Sequence, residues 1–585
     1  VNPRLDVAAR AAALRRVRGQ TLDVVVIGGG ITGVGTALDA VSRGLSVALF
    51  EAGDLAGGTS SRSGKVFHGG LRYLERLNFS LVREALKERD LMVDRLCPHL
   101  VSSEPFLFPF TRGWERPYVG AGVLLYDLLR FGGPRSVPGH RHLTRQAVLR
   151  EMPALNPARI IGGVRYHDVR VDDARHTVTV ARTAAAFGAT ILTRARVVGL
   201  VWDAGRVAGV RVRDLASGST ASPSGASGPF GASAPHASSG AEFVVRARAV
   251  VNAAGVWAEQ VQALAGPPTI SVTAAKGTHL VVPGDRIDSR TGLIAKTHDS
   301  VFIIRRWFDH WVIGTTDTRW HHDPDDPAPT RTDVEYLLAQ ANRWLRHPLC
   351  REDVTGVYAG LRPLVSGKAA TTAALPRDHV VVTGPPGMVT VVGGKYTTYR
   401  LMARDAVDAC VPWLGGVPPS PTHRLPILGA DGYLVLRNQC RALAAESGLS
   451  ERRVMHLLGR YGTLATDLLD LIAERPDLAR PVPGAPRYLA AELHYAASHE
   501  GALHLEDVLV RRTRIFMETS DGGLPAAPYA ARVVGDVLGW DDVRRKDEVE
   551  RYRLEREADR RAATVLTDHE AVAARRSVRR AAPEP

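Results

Sequence analysis

The residues with the most legible chemistry are Gly28, Gly30 and Gly33, in the run Gly28-Gly29-Gly30-Ile31-Thr32-Gly33. Glycines at this spacing between a strand and a helix have distinct uses. The first makes a tight turn, the second lets backbone approach a pyrophosphate, and the third lets helix and strand pack closely. Free N–H groups and the dipole at the helix start favour the phosphates. Glu51 follows at the end of the next strand, where a carboxylate bonds ribose hydroxyls. This is a dinucleotide site, and the glycines alone leave NAD and FAD both open. Two later segments favour FAD. Residues 250–255 end a strand in small residues, Ala254 and Gly255 among them, as where a chain passes a bound cofactor. Residues 389–398 read as a strand, the pair Gly393-Gly394 and a helix start. Such a helix start suits the N1–C2=O side of a flavin, and Lys395 adds a charge against the anion formed on reduction.

The elements that must hold these residues follow from periodicity. Residues 23–27 predict a short buried strand. A helix with Val34, Ala37, Leu38 and Val41 on one face comes next, closed at Gly44, and 45–50 completes the unit. Residues 80–96 and 172–187 read as helices, with Asp172 and Asp173 as caps. Residues 189–200 read as a strand leading to a hairpin turn at Asp203-Ala204-Gly205. Residues 216–241 are Ser, Gly, Ala and Pro with almost no charge, a flexible insertion that buries no core. Strands return at 243–251, 278–282, 301–304, 311–314 and 388–392. Helical patterns then run at 433–446, 451–474, 487–499 and 505–517, with an Arg- and Glu-rich surface helix at 541–563. The expected class is α/β: a Rossmann-like FAD-binding domain with an interleaved antiparallel-sheet (α+β) substrate cap over 21–420, then an all-helical C-terminal domain over 421–563. A basic leader (1–20) and a basic tail (564–585) are expected to be flexible.

Composition narrows the class. The 585 residues are 45% apolar and 23% charged, as in ordinary globular proteins. No run approaches the ~20 apolar residues of a membrane span, and no secretory signal is evident. Cys97, Cys350, Cys410 and Cys440 lie far apart, which fits a reducing, cytoplasmic setting. No metal site is expected: His321-His322-Asp323, near Asp325 and Asp326, reads as a solvated loop. The net charge of +14 opens three partners: nucleic acid, an anionic membrane face or an anionic substrate. The basic residues lack aromatic interleaving, so nucleic acid is not expected. A basic flavoprotein acting on RNA is the alternative from another class.

Several segments carry a resemblance. They are 54–74 (DLAGGTSSRSGKVFHGGLRYL), 166–175 (YHDVRVDDAR), 276–282 (KGTHLVV), 314–317 (GTTD), 359–364 (AGLRPL), 377–379 (RDH), 393–400 (GGKYTTYR) and 507–514 (DVLVRRTR). Across about 21–540 the chain resembles the FAD-dependent glycerol-3-phosphate dehydrogenases. The resemblance implies hydride transfer from C2 of sn-glycerol 3-phosphate to flavin N5, giving dihydroxyacetone phosphate. It also implies reoxidation by a quinone, through peripheral attachment to the cytoplasmic membrane face; an oxygen-using oxidase is the alternative. A second copy of the chain is a further candidate partner.

Residue roles follow the same route. Arg72, Arg362 and Arg377, with Tyr73, correspond to a substrate pocket, and the planar fork of Arg suits a phosphate; a structural ion pair would use the same residue type. His279 is the candidate base for the hydroxyl proton, or a satisfied strand histidine. Lys395 would hold the alkoxide or the reduced flavin, and Arg362 is counted with both as catalytic. Thr59, Ser60, Ser61 and Ser63 suit hydrogen bonds to pyrophosphate or ribitol. His68 and Thr397 are placed beside the flavin.

Overall fold

In the computed structural model, the described residues are 3–130, 137–216, 240–297, 301–366 and 378–580. The insertion at 216–241 falls almost wholly outside them, as does Arg377; the side chain of Arg72 is also outside. Among the described residues the chain builds two large sheets and a helical domain.

The first sheet is centred on strand Thr21–Ile27, which pairs in parallel with Val47–Phe50 on one side and Glu242–Asn252 on the other. Thr190–Leu192 extends one end, while Met388–Gly393 and His379–Thr383 extend the other. Helix Ile31–Ser42 covers one face, with Asp173–Ala186 and Tyr399–Asp408 packed beside it. The opposite face is covered by a helix where a flexible leader was expected: Val7–Arg18. Val17, Leu14 and Ala13 share one helical stripe and pack with Leu22 and Phe243. Arg10 donates to Asp214 at 2.6 Å, and the Arg18 guanidinium lies 4.5 Å from the Phe243 ring. Arg10 and Arg18 of the leader therefore have structural partners.

The second sheet has ten strands and is antiparallel except where Gly292–Lys296 joins Val101–Phe110. Its central pairing sets Val272–Pro283 against Gly356–Val365 and against His310–Gly314. Its last strand, Val66–Phe67, lies only five residues beyond Ser61, so the polar loop after the first Rossmann unit crosses directly to the cap.

From Tyr433 onward a helical domain has its own core, including Leu457, Tyr488, Leu493 and Val534. It ends in a helical pair, Asp542–Ala562 and Asp568–Arg580. The second helix lies where a flexible tail was expected. Arg575 and Arg579 pair there with Asp559, Glu555 and Asp326, so these charges bind protein rather than solvent.

His99 and His176 are buried imidazoles of residues 21–420, as is His279. Burial holds His99 and His176 at about 3. In an unfolded chain each binds a proton near 6.5, so the unfolded state carries more protons between pH 3 and 6.5. The stability they contribute is whole above 6.5 and is lost as pH falls through that window. For the pair, the loss from pH 7 to pH 5 is about 4 kcal/mol. The urea midpoint should be clearly lower at pH 5 than at pH 7; equal midpoints would contradict this.

Candidate functional site

A cavity of about 1020 Å³ is lined from both sheets. At one end lies the glycine turn. Gly28 has φ +110°, and a Cβ there would sit 2.7 Å from the Ala253 carbonyl oxygen. Gly33 is not at the cavity surface; its missing side chain makes room for the Gly28 carbonyl, which is the close helix–strand contact expected of the third glycine. Gly28, Gly30 and the start of helix Ile31–Ser42 open into the cavity. Glu51 reaches the same end, accepting from Gly29 N and Gly53 N at 2.6 Å each.

The polar loop divides in two. Thr59 and Ser60 line the cavity. Thr59 Oγ1 donates to the Leu361 carbonyl of the second sheet, and Ser60 Oγ accepts from Ile31 N at 2.9 Å. Ser61 turns to the Gly58 carbonyl and does not line the cavity. Ser63 touches the cavity wall, but its hydroxyl donates to Asp173 at 2.6 Å. Asp173 lies in the first turn of helix Asp173–Ala186, and it also binds Lys65 at 2.9 Å and Arg514. It therefore does more than cap its helix.

Ala254 and Gly255 form another part of the wall, beneath the end of strand Glu242–Asn252. Further along, Gly393 and Gly394 (φ +81° and +75°) turn the chain from its strand so that Lys395 and Thr397 reach the cavity at a helix start. Thr397 Oγ1 accepts from His68 N at 3.2 Å, which ties this second helix start to the HGGLRYL segment. The Lys395 ammonium lies 3.9 Å from the Tyr73 ring centroid. Arg72 falls in the adjacent 3-10 turn Leu71–Arg76.

One face of the second sheet forms the cavity floor. His279 pairs with Gly314 on one neighbouring strand and with Tyr358 on the other. The glycine leaves room for the imidazole, whose ring stacks on Tyr358 at 4.9 Å and 12°. Burial, with Arg362, Lys65 and Arg305 nearby, holds the His279 ring well below the ordinary imidazole range, so it is neutral at pH 7. Arg362 pairs with Ala275 in the same strand pair. Its guanidinium donates to Thr315 Oγ1 at 3.0 Å and the Thr316 carbonyl at 3.2 Å, with Asp317 at 3.4 Å. These partners orient the group at the cavity wall.

Several lining residues lie outside every recognised segment: Trp257, Arg305 and Pro327; Arg62 also lines the cavity and lies inside the 54–74 segment. Lys65 had a signal, since it sits inside the recognised segment. It is fully buried, and burial lowers its ammonium to about 8 despite Asp173.

The arrangement fits a dinucleotide. A helix N-terminus and an acid stand at one end, a second helix start with a lysine lies further on, and a neutral imidazole and cations line the floor. Comparisons agree with that geometry. A family model described as FAD dependent oxidoreductase matches residues 23–400, and one described as the C-terminal domain of alpha-glycerophosphate oxidase matches 420–545. Glycerol-3-phosphate dehydrogenase 2 of Mycobacterium tuberculosis is 50% identical over 558 residues, covering 95% of this chain and 91% of the relative. The mitochondrial glycerol-3-phosphate dehydrogenase of Mus musculus is 32% identical over 559 residues, covering 90% and 72%. The X-ray structure of the glycerol-3-phosphate dehydrogenase from Bacillus halodurans complexed with FAD superposes with a TM-score of 0.74 at 26% identity, covering 95% of this chain and 97% of that one.

Proposed function

We propose that this chain, which belongs to the family of FAD-dependent glycerol-3-phosphate dehydrogenases, oxidises sn-glycerol 3-phosphate at C2 and passes the electrons to a membrane quinone. The observation that carries the reading is the buried imidazole of His279 on the floor of the same cavity that Arg362 and Lys395 line. When bound, FAD supplies the hydride acceptor. Gly28, Gly30, Ile31 and Ser60 would hold its phosphates, and Glu51 its ribose. Gly394, Lys395 and Thr397 would face its ring system. Arg362 binds the phosphate of the substrate, joined by Arg72, Arg377 and Tyr73. His279, uncharged at working pH, accepts the C2 hydroxyl proton. Lys395 steadies the negative charge that builds on oxygen.

A quinone and a peripheral membrane contact are supported by helix Glu115–Leu128. Its inner face packs Val123 and Tyr126 against Tyr73 and Leu74. Its outer side exposes Tyr118, Leu124 and Leu128, each more than half accessible, after Trp114 at 57%. Arg112 and Arg116 flank it, and Lys296 lies 5.6 Å from the Tyr118 ring. Aromatic and apolar groups beside cations suit an anionic bilayer interface. No helix among the described residues is long and apolar enough to cross a membrane.

The test is direct. Purified yellow protein should bleach under anaerobic conditions with sn-glycerol 3-phosphate and far more slowly with glycerol. Absence of bleaching at millimolar substrate removes the assignment. Reoxidation by a short-chain quinone with little hydrogen peroxide supports the acceptor named here; stoichiometric peroxide in air makes the protein an oxidase.

A further inference from the structure

His321-His322-Asp323, with Asp325 and Asp326 nearby, reads from sequence as a solvated loop, yet residues 326–328 are buried: Asp326 is 7% exposed and Ala328 is fully covered. Pro324, Asp325 and Pro327 form part of the cavity wall. Across from them stands Trp257, whose indole N–H donates to Asp325 at 2.6 Å and whose ring lies against Gly58 of the polar loop. Loop and indole together thus form the cavity wall beside Gly58 and Thr59.

What holds the loop in place is the last helix of the chain. Arg579 of Asp568–Arg580 is paired with Asp326, and Glu555 of the preceding helix accepts from the same guanidinium at 2.7 and 2.9 Å. Val572 packs with Val256, Trp320 and Leu361, and Ala571 packs with Ala328. The turn before the helix is fixed to the cap as well. Arg331 N donates to the Val565 carbonyl at 2.8 Å, and Thr332 Oγ1 to the Leu566 carbonyl at 2.7 Å. Asp568 pairs with buried Lys276, which stands three residues before His279 on the same strand.

We infer that the C-terminal helix Asp568–Arg580 is a latch for the cofactor: it holds the 321–328 loop and Trp257 over the cavity and so sets how fast FAD leaves. Asp326 and Arg579 are positioning residues in this device, with no contact to substrate. A ligand held behind a closed wall escapes only when the wall opens, so weakening the latch raises the release rate more than it changes the fold. The Arg579 side chain is about one-third exposed, so salt weakens its ion pairs in part while the apolar contacts of Val572 persist.

The experiment uses FAD-loaded full-length protein, with two variants: a chain ending at Ala563, and Asp326→Asn. Release of FAD on rapid dilution is followed by flavin fluorescence, with far-UV circular dichroism as the control on folding. The truncated chain should release FAD at least tenfold faster than the parent, and Asp326→Asn severalfold faster, with the gap between Asp326→Asn and the parent narrowing at high salt. Should the truncated chain fail to fold, Asp326→Asn and Arg579→Ala carry the test. Release within twofold of the parent in every folded variant overturns the latch. That outcome leaves FAD binding itself intact, whereas a parent chain that never retains FAD defeats the functional reading.

Discussion

Replacing Arg362 with Ala should raise the KM for sn-glycerol 3-phosphate roughly 100- to 1,000-fold, the equivalent of about 3–4 kcal/mol. Charge-assisted bonds from a guanidinium to an anion are worth about 1.5–3 kcal/mol each, and the planar fork can make two. The expectation rests on the place of Arg362 in the wall of the cavity that His279 and Lys395 also line. Among the described residues its guanidinium meets two neutral oxygens, of Thr315 and Thr316, and pairs with the Asp317 carboxylate at 3.4 Å. Arg362→Lys keeps the charge without the fork and should recover only part of the loss. Free glycerol supplies the control. It lacks the phosphate, so its slow turnover should be nearly unchanged in the Ala variant. A loss of equal size on both substrates would mean that Arg362 shapes the pocket rather than binding the phosphate, and near-normal kinetics on the natural substrate would exclude it from the site.

What could be read from the sequence follows the distance over which each signal acts. The glycine turn, its strand and helix, and Glu51 lie within 31 residues, and turn chemistry and periodicity act on that scale. Direction was harder than polarity. Thr59, Ser60, Ser61 and Ser63 form one polar run, yet Ser61 bends back to Gly58 and Ser63 bonds Asp173, 110 residues away. Nothing local marks which hydroxyl meets the cavity. The cap was read in part. Its strands at Val101–Phe110 and Gly162–Val171 pair across two helices and a short strand, and each lacks a clean alternation of burial. The register that sets His279 opposite Tyr358, and Arg362 opposite Ala275, joins strands some 80 residues apart. The basic ends were misread for the same reason. Counting charge along the chain suggested solvated tails, whereas Arg10 finds Asp214 and Arg579 finds Asp326, each more than 200 residues distant.

The second large effect is expected at Arg512, in the DVLVRRTR segment of the helical domain. Its guanidinium is fully buried and bonds Asp54 with both arms, at 2.7 and 2.8 Å, while also donating to the Glu500 carbonyl. Asp54 opens the polar loop three residues after Glu51, and Ala56 N in turn donates to the Gly29 carbonyl at 3.0 Å. The helical domain thus grips the loop that borders the glycine turn. A second grip lies beside it, from Arg514 to Asp172 and Asp173. Arg512→Ala leaves Asp54 buried with Arg511 as its remaining cationic partner among the described residues. Breaking one side of a buried pair costs about 3–5 kcal/mol, and bulk salt cannot screen a pair that water does not reach. The urea midpoint should therefore fall strongly, and by a similar amount at low and high salt. The double variant Asp54→Asn with Arg512→Met removes both charges and should lose less than Arg512→Ala alone, since the main cost is the carboxylate left behind. FAD should also bind more weakly to Arg512→Ala, because the loop it disorders is the one that carries Thr59 and Ser60. Added FAD should then restore part of the midpoint, rising with its concentration as binding to the folded state alone requires. A midpoint within about 1 kcal/mol of the parent would show that the contact between the domains rests on their apolar packing, with the arginines adding little.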